Sequence, residues 1–302
     1  MSFSVIPVKQ PPTVAAVAGI AANGMYSADG TSWTTVSVPA ATYQYCELAY
    51  GNGRFVAVSG LNNNSNVAAI SQDGINWTAT SMPYAGRWCK IVFGNGLFVA
   101  TDTFNAVSTV ATSPDGITWT LRTVPGGLLS WPNLIFGGGY FCLGAGASTA
   151  RANSPDGINW TAQTGANTTA AGNRAGAYGN GTFVRSNGSS GEYSTNNGVT
   201  WTSMTPSATV AGSIAFGAGL FVSVNNGGTT QTCYSSPDGF TWTARTLATS
   251  QIYNSVFYAG GRFIATPNTA GPLNYSLDGI NWTAGPNNPL GSIYGMVDNR
   301  TL

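Results

Sequence analysis

Seven tryptophans stand at near-equal intervals along this chain, and that spacing restricts its architecture more than any other feature. They are Trp33, Trp77, Trp119, Trp160, Trp201, Trp242 and Trp282, separated by 44, 42, 41, 41, 41 and 40 residues. Each closes a heptapeptide, Ser-x-Asp-Gly-x-x-Trp, whose acidic residues are Asp29, Asp73, Asp115, Asp156, Asp238 and Asp278. The fifth copy reads Thr195-Asn196-Asn197-Gly198-Val199-Thr200-Trp201, with Asn197 taken as the residue in the acidic position. A fixed period in this range means a propeller or a solenoid. It overrides the expectation of two domains that a 302-residue length would otherwise set.

A second motif keeps the same period: Tyr50-Gly51-Asn52-Gly53-Arg54-Phe55, Phe93-Gly94-Asn95-Gly96-Leu97-Phe98, and four further copies at 136–141, 178–183, 216–221 and 258–263. An apolar run, a glycine turn and a second apolar run make a hairpin. The Asp-Gly motif joins two more runs, so each period holds four short strands, A to D. No stretch carries a helical apolar period. The fold class that follows is all-β, a seven-bladed β-propeller of four-stranded blades. The N-terminal run 13–19 resembles a strand B, and Ile293-Tyr294 with its neighbours resembles a strand A. The C-terminal strand is therefore expected to complete the N-terminal blade and close the ring, removing the edge that an open array would leave. Residues 13–302 form the single propeller domain in this reading, and 1–12 an N-terminal arm.

The turn motif has a structural explanation. Asp accepts bonds from backbone N–H groups two or three residues on, Gly supplies positive φ, and Trp packs between blades. An Asn in the fifth copy keeps the turn and discards the charge, which argues against a metal ligand or a catalytic group. Ser-x-Asp-Gly-x-x-Trp resembles the Asp-box of sialidase-like propellers, a hairpin turn between the third and fourth strands of a blade. The family pattern has one more residue between Asp and Gly, so the match is to a variant box. The resemblance implies the fold, with the boxes on the face away from a ligand site, and carries no implication of activity. The Gly-, Asn-, Ser- and Thr-rich repeats also resemble those of bacteriophage tail and fibre proteins.

Composition narrows the function. Charged residues are 7% of the chain, with Lys+Arg 11 against Asp+Glu 10, where roughly 25% charged is ordinary. That leaves no basic face for nucleic acid. No apolar stretch is long enough for membrane insertion, and the N-terminus does not read as a signal peptide. With no histidine the commonest general base and metal ligand are missing. Cys46, Cys89, Cys142 and Cys233 lie far apart in apolar runs and read as four buried free thiols. No metal and no cofactor is expected. Outside the boxes only Asp102, Asp298, Glu47 and Glu192 remain as carboxylates, with Glu47 on a strand A and Glu192 ahead of a strand C. They sit on different blades, whereas glycoside cleavage needs two carboxyls some 5–10 Å apart. Arg54 with Arg262, and Arg122 with Arg245, repeat by blade as structural residues do. Glu47 and Lys90 hold one register on adjacent blades and are expected to pair.

In a propeller the B–C and D–A loops share one face. Between these repeats the variation concentrates there, while the A–B and C–D turns are nearly uniform. Tyr45, Trp88, Trp131 and Tyr253 each stand five residues before a strand-A aromatic. Together with Phe104 in a B–C loop they are the candidate ligand-binding residues, since aromatic rings beside amides and hydroxyls suit sugars. The expectation is a non-enzymatic bacteriophage virion structural protein, a tail, fibre or capsid-surface propeller assembled in the host cytoplasm. Its partners would be other virion proteins and a host-surface glycan or receptor. A lectin-like module of a cellular organism and a degenerate glycoside hydrolase are the alternatives.

Overall fold

The computed structural model describes residues 14–18, 23–39, 44–61, 63–146, 148–163, 175–186, 191–204, 212–225 and 230–299. The expected arm, residues 1–12, lies outside them. Seven antiparallel four-stranded sheets form a ring. The innermost strands of blades 2 to 7 are Tyr45–Gly51, Trp88–Gly94, Asn133–Gly137, Gly176–Gly179, Ser213–Gly217 and Tyr253–Ala259. Blade 1 is split as expected. Ile293–Asp298 is its innermost strand and pairs with Val14–Ala18, setting Val14 opposite Asp298 and Ala16 opposite Met296. Each innermost strand lies against the next around the ring.

Local chemistry explains why the repeat tolerates so little change on the turn face. Asn52 and Gly53 adopt φ of 47° and 74°, the left-handed pair that a two-residue type I′ hairpin requires. Gly51, at the end of its strand, is fixed by space instead. A Cβ there would lie 2.1 Å from the Phe93 ring, and on Gly94 it would lie 2.4 Å from Phe136. In blades 2 to 6 this glycine is thus the floor on which the aromatic of the next blade rests. Blade 7 has Ala259 at this position, where its neighbour in blade 1 carries Asp298 in place of an aromatic; Asp298 accepts from the Gly260 N–H at 2.6 Å.

A second coupling links turns to boxes. Asn52 Nδ2 donates to the carbonyls of Gly96 and Pro114 at 3.2 and 2.8 Å. Asn95 does the same to Gly139 and Pro155, and Asn180 to Gly219 and Pro237. Gly138, Ala218 and Gly260 replace the Asn in blades 4, 6 and 7, and the boxes that follow carry Thr195, Leu277 and Ala28. Box proline and turn asparagine therefore occur together, as two halves of one link between blades.

Inside each box the serine hydroxyl donates to the aspartate and accepts from the glycine N–H. In blade 4 these are Ser154 to Asp156 at 2.9 Å and Gly157 N to Ser154 at 2.8 Å. Asp156 Oδ1 accepts from the N–H groups of Ile158 and Asn159, both at 2.8 Å. The indole Nε1–H of Trp160 donates to Gly157 O at 3.1 Å. Blade 5 corrects the sequence reading. Its acceptor is Asn196, which takes the Ser194 hydroxyl at 2.9 Å and the Thr200 N–H at 3.0 Å. Asn197 is the inserted residue, at φ 59°. This one copy therefore has one more residue between acceptor and glycine than the other six, and an amide performs the carboxylate's role in it. Asp156→Asn is accordingly expected to cost about 1 kcal/mol or less, and Trp160→Ala about 3–5 kcal/mol. Urea denaturation of the two variants checks the contrast.

The core is not one mass but seven apolar clusters, one per boundary between consecutive blades. At the boundary of blades 4 and 5 the buried apolar members among the described residues are Ile135, Cys142, Phe183 and Trp201. The remainder of that boundary holds an ionic cluster. Arg151 Nη2 donates to both Glu192 oxygens at 3.1 and 2.9 Å, and Arg185 donates to Glu192 from the paired strand. Arg185 also stacks over Trp201 at 4.2 Å. Glu192 lies within a strand, Gly191–Ser194, not ahead of it.

Candidate functional site at the mouth of the channel

A β-bulge decides what the loop face presents. In blades 2, 3, 7 and 1 the innermost strand shifts register near its start, leaving Cys46, Cys89, Asn254 and Tyr294 as the extra residues. A bulge re-aims side chains, so here the bulged residue and its successor both face the channel. The four bulged residues, with Glu47 and Lys90, line a cavity of about 440 Å³ at the loop-face end of the channel. Lys90 Nζ donates to Glu47 Oε2 at 2.6 Å, the pair expected from register. Burial pushes the Glu47 carboxyl above the ordinary carboxylate range, and the Lys90 charge pulls the other way.

The residue before the bulge points away from the channel. Tyr45 is 1% exposed, and Trp88, Trp131 and Tyr253 are each 0%. These four candidate ligand-binding rings are therefore inter-blade packing residues, a correction to the sequence reading. Tyr45, Trp88 and Tyr253 stand just before a bulge and turn to the face opposite the one expected, while Trp131 lies two residues ahead of its unbulged strand. Their polar tips anchor loop backbone. Tyr45 OH donates to Pro39 O at 2.6 Å, Trp88 Nε1 to Tyr84 O at 3.0 Å, Trp131 Nε1 to Val107 O at 3.3 Å and Tyr253 OH to Thr249 O at 2.9 Å.

Phe104 behaves differently, being 60% exposed. Its loop is held by Asp102, itself buried. The Asp102 carboxylate accepts from the N–H groups of Phe104, Asn105 and Arg87 at 3.1, 2.8 and 3.3 Å. It also accepts from Asn105 Nδ2 at 2.7 Å and Tyr84 OH at 3.3 Å. Asn105 Nδ2 further reaches Asn64 Oδ1 of blade 2 at 3.2 Å. The Arg87 guanidinium stacks 3.7 Å from the Phe104 ring centroid. The result is an exposed ring fixed in place beside amides in a B–C loop. Leu128, 70% exposed, lies in the next loop. The B–C loop residues 187–190 and 226–229, and the two positions equivalent in sequence to Trp88 in blades 5 and 6, residues 173 and 211, lie outside the described residues.

The cysteines also depart from expectation. Cys46 and Cys89 form a disulfide with Cα atoms 4.9 Å apart, whereas Cys142 and Cys233 are buried free thiols. The register that pairs Glu47 with Lys90 pairs Cys46 with Cys89 one residue earlier, so the signal was present in the sequence. Among the described residues no group of three or more metal-ligating side chains occurs.

No protein-family model matches the chain, and no curated protein matches it. Solved structures do. A streptogramin B lyase superposes with a TM-score of 0.69 at 9% identity, covering 84% of this chain and 86% of that one. Virginiamycin B lyase from Staphylococcus aureus gives 0.64 at 12% identity, covering 91% and 95%. YCF48 bound to a D1 peptide gives 0.60 at 15% identity, covering 85% and 91%. At these identities the likeness is one of fold.

Proposed function

We propose that the protein is a non-enzymatic binding propeller of a virion surface, working through the loop face around the channel mouth. The observation that carries this reading is the engagement of all ten carboxylates in structural contacts. Six sit in box turns. Asp102 holds the Phe104 loop, Asp298 the closing blade, Glu47 pairs with Lys90, and Glu192 with two arginines. Glycoside cleavage needs two cooperating carboxyls, and Glu47 is the one carboxylate among the residues lining the mouth. One structural neighbour is a catalytically inactive His-to-Ala variant of virginiamycin B lyase; the present chain has no histidine at all. YCF48 bound to a peptide is a precedent for binding by a similar ring.

The virion assignment rests on low charge, uncharged polar loops and the likeness of the repeats to phage tail and fibre repeats. Its partners would be neighbouring virion proteins and a host-surface glycan. Imaging the protein in its native assembly tests the location. Phe104→Ala is expected to weaken binding to host cells or immobilised glycan ten-fold or more, about 1.4 kcal/mol per ten-fold. Thr118→Ala on the turn face is expected to leave it unchanged. Equal binding by both variants removes Phe104 from the site.

A further inference from the structure

We propose that the Cys46–Cys89 disulfide is a thiol-exchange site, at which a low-molecular-weight thiol entering the channel mouth opens and recloses the covalent link between blades 2 and 3. Three observations point to it. First, bulges aim both cysteines at the channel, and both line the same cavity of about 440 Å³. That volume lies within the roughly 300–1,000 Å³ typical of small-molecule sites. Second, Cys89 is only partly buried whereas Cys46 is 5% exposed, so Cys89 is the less shielded half of the disulfide. Lys90, its immediate neighbour, lines the same cavity with its ammonium held by Glu47 at 2.6 Å, so the polar wall beside the disulfide is fixed in place. Third, the other two cysteines are shielded. Burial pushes the thiols of Cys142 and Cys233 up to about 12, which leaves almost no thiolate at neutral pH.

The exchange balances without a cofactor. A thiolate RS⁻ attacks Cys89 Sγ, the S–S bond breaks, and the electron pair leaves on Cys46 Sγ, which takes a proton from water. A second RS⁻ then attacks the R sulfur of the mixed disulfide. RSSR departs and Cys89 is left as thiolate. Two thiols are oxidised for one disulfide reduced, and the reverse sequence closes the link. The chemistry also bears on the loop face. Cys89 lies two residues after Arg87, which stacks on Phe104, and Asn64 meets Asn105 across the same boundary. The covalent link therefore braces the boundary that carries the exposed ring.

The test uses the folded full chain and does not depend on the proposed function. Native protein is treated with N-ethylmaleimide before and after incubation with millimolar reduced glutathione, and adducts are mapped by mass spectrometry. The expected result is no adduct before glutathione and two after it, at Cys46 and Cys89, with Cys142 and Cys233 labelled only on denaturation. Folded Cys46→Ser is expected to take up one glutathione at Cys89 from oxidised glutathione. Labelling without glutathione overturns the link. Failure of native protein to gain the two adducts, with folded Cys46→Ser also refusing glutathione, overturns access to it. If exchange proceeds while Phe104→Ala leaves binding intact, Phe104 is removed from the binding site and this inference stands.

Discussion

Glu192→Ala is expected to lower the free energy of unfolding by about 3–5 kcal/mol, the usual consequence of removing one partner from a buried ion pair. Glu192 and Arg151 side chains are each 2% exposed, and Arg185 is 6% exposed. Without the carboxylate, two guanidinium groups face each other across the boundary of blades 4 and 5, away from water. The other blades show what this register can hold instead. Arg185 opposite Glu192 corresponds to Ala57 opposite Ala69 in blade 2 and Leu143 opposite Ala152 in blade 4. Adding Arg151→Leu and Arg185→Leu to Glu192→Ala is therefore expected to recover most of the loss, because the uncompensated charges are gone. Urea denaturation of the single and triple variants measures both. A triple variant no more stable than the single would mean that packing around Gly144, which leaves room for the Arg185 guanidinium, matters more than charge.

The architecture was legible because it is written seven times. A turn that needs positive φ, a glycine beneath the next blade's ring and a tryptophan at fixed spacing are local requirements. They leave local residue types, and repetition separates them from chance. The split first blade was legible for the same reason, as two fragments of a known repeat. The candidate site was read less well because it depends on a departure from the repeat. Strict alternation along a strand would turn Tyr45, Trp88 and Tyr253 to the same side as Glu47, Lys90 and Ser255. The bulge at Cys46, Cys89 and Asn254 breaks the alternation, and no residue type marks a bulge of this kind. The blade 5 box shows the converse. An insertion of one residue moved the acceptor to Asn196, and counting back from Gly198 landed on the inserted neighbour. The ionic cluster was missed because its members sit on two blades at positions where the repeat carries small apolar residues. In the sequence Glu192 reads as a spare carboxylate; its cross-strand partner, at the register of Ala57, is Arg185.

Deleting residues 290–302 is expected to abolish the monomeric ring. The segment contributes Ile293 and Met296, 0% and 7% exposed, to the cluster between blades 7 and 1. Burying two such side chains stabilises by about 3–6 kcal/mol together, against a total of about 5–15 kcal/mol for an ordinary domain. The deletion also strips the hydrogen-bonded partner from Val14–Ala18 and removes the Asp298 carboxylate that accepts from Gly260. The innermost edge of blade 1 is then left unpaired beside the channel, and an unpaired edge invites pairing with another chain. Size-exclusion chromatography is expected to show aggregates or domain-swapped multimers, and thermal melting a transition that is broad or lost. A synthetic peptide of residues 290–302 added in trans is expected to restore a monomeric, cooperatively melting protein, because the missing strand is one contiguous element. A truncated chain that stays monomeric with unchanged melting would mean that the remaining inter-blade packing holds the ring without its innermost closing strand. The turn-face links, Asn52 to Pro114 and their counterparts, would then be the better explanation of its stability.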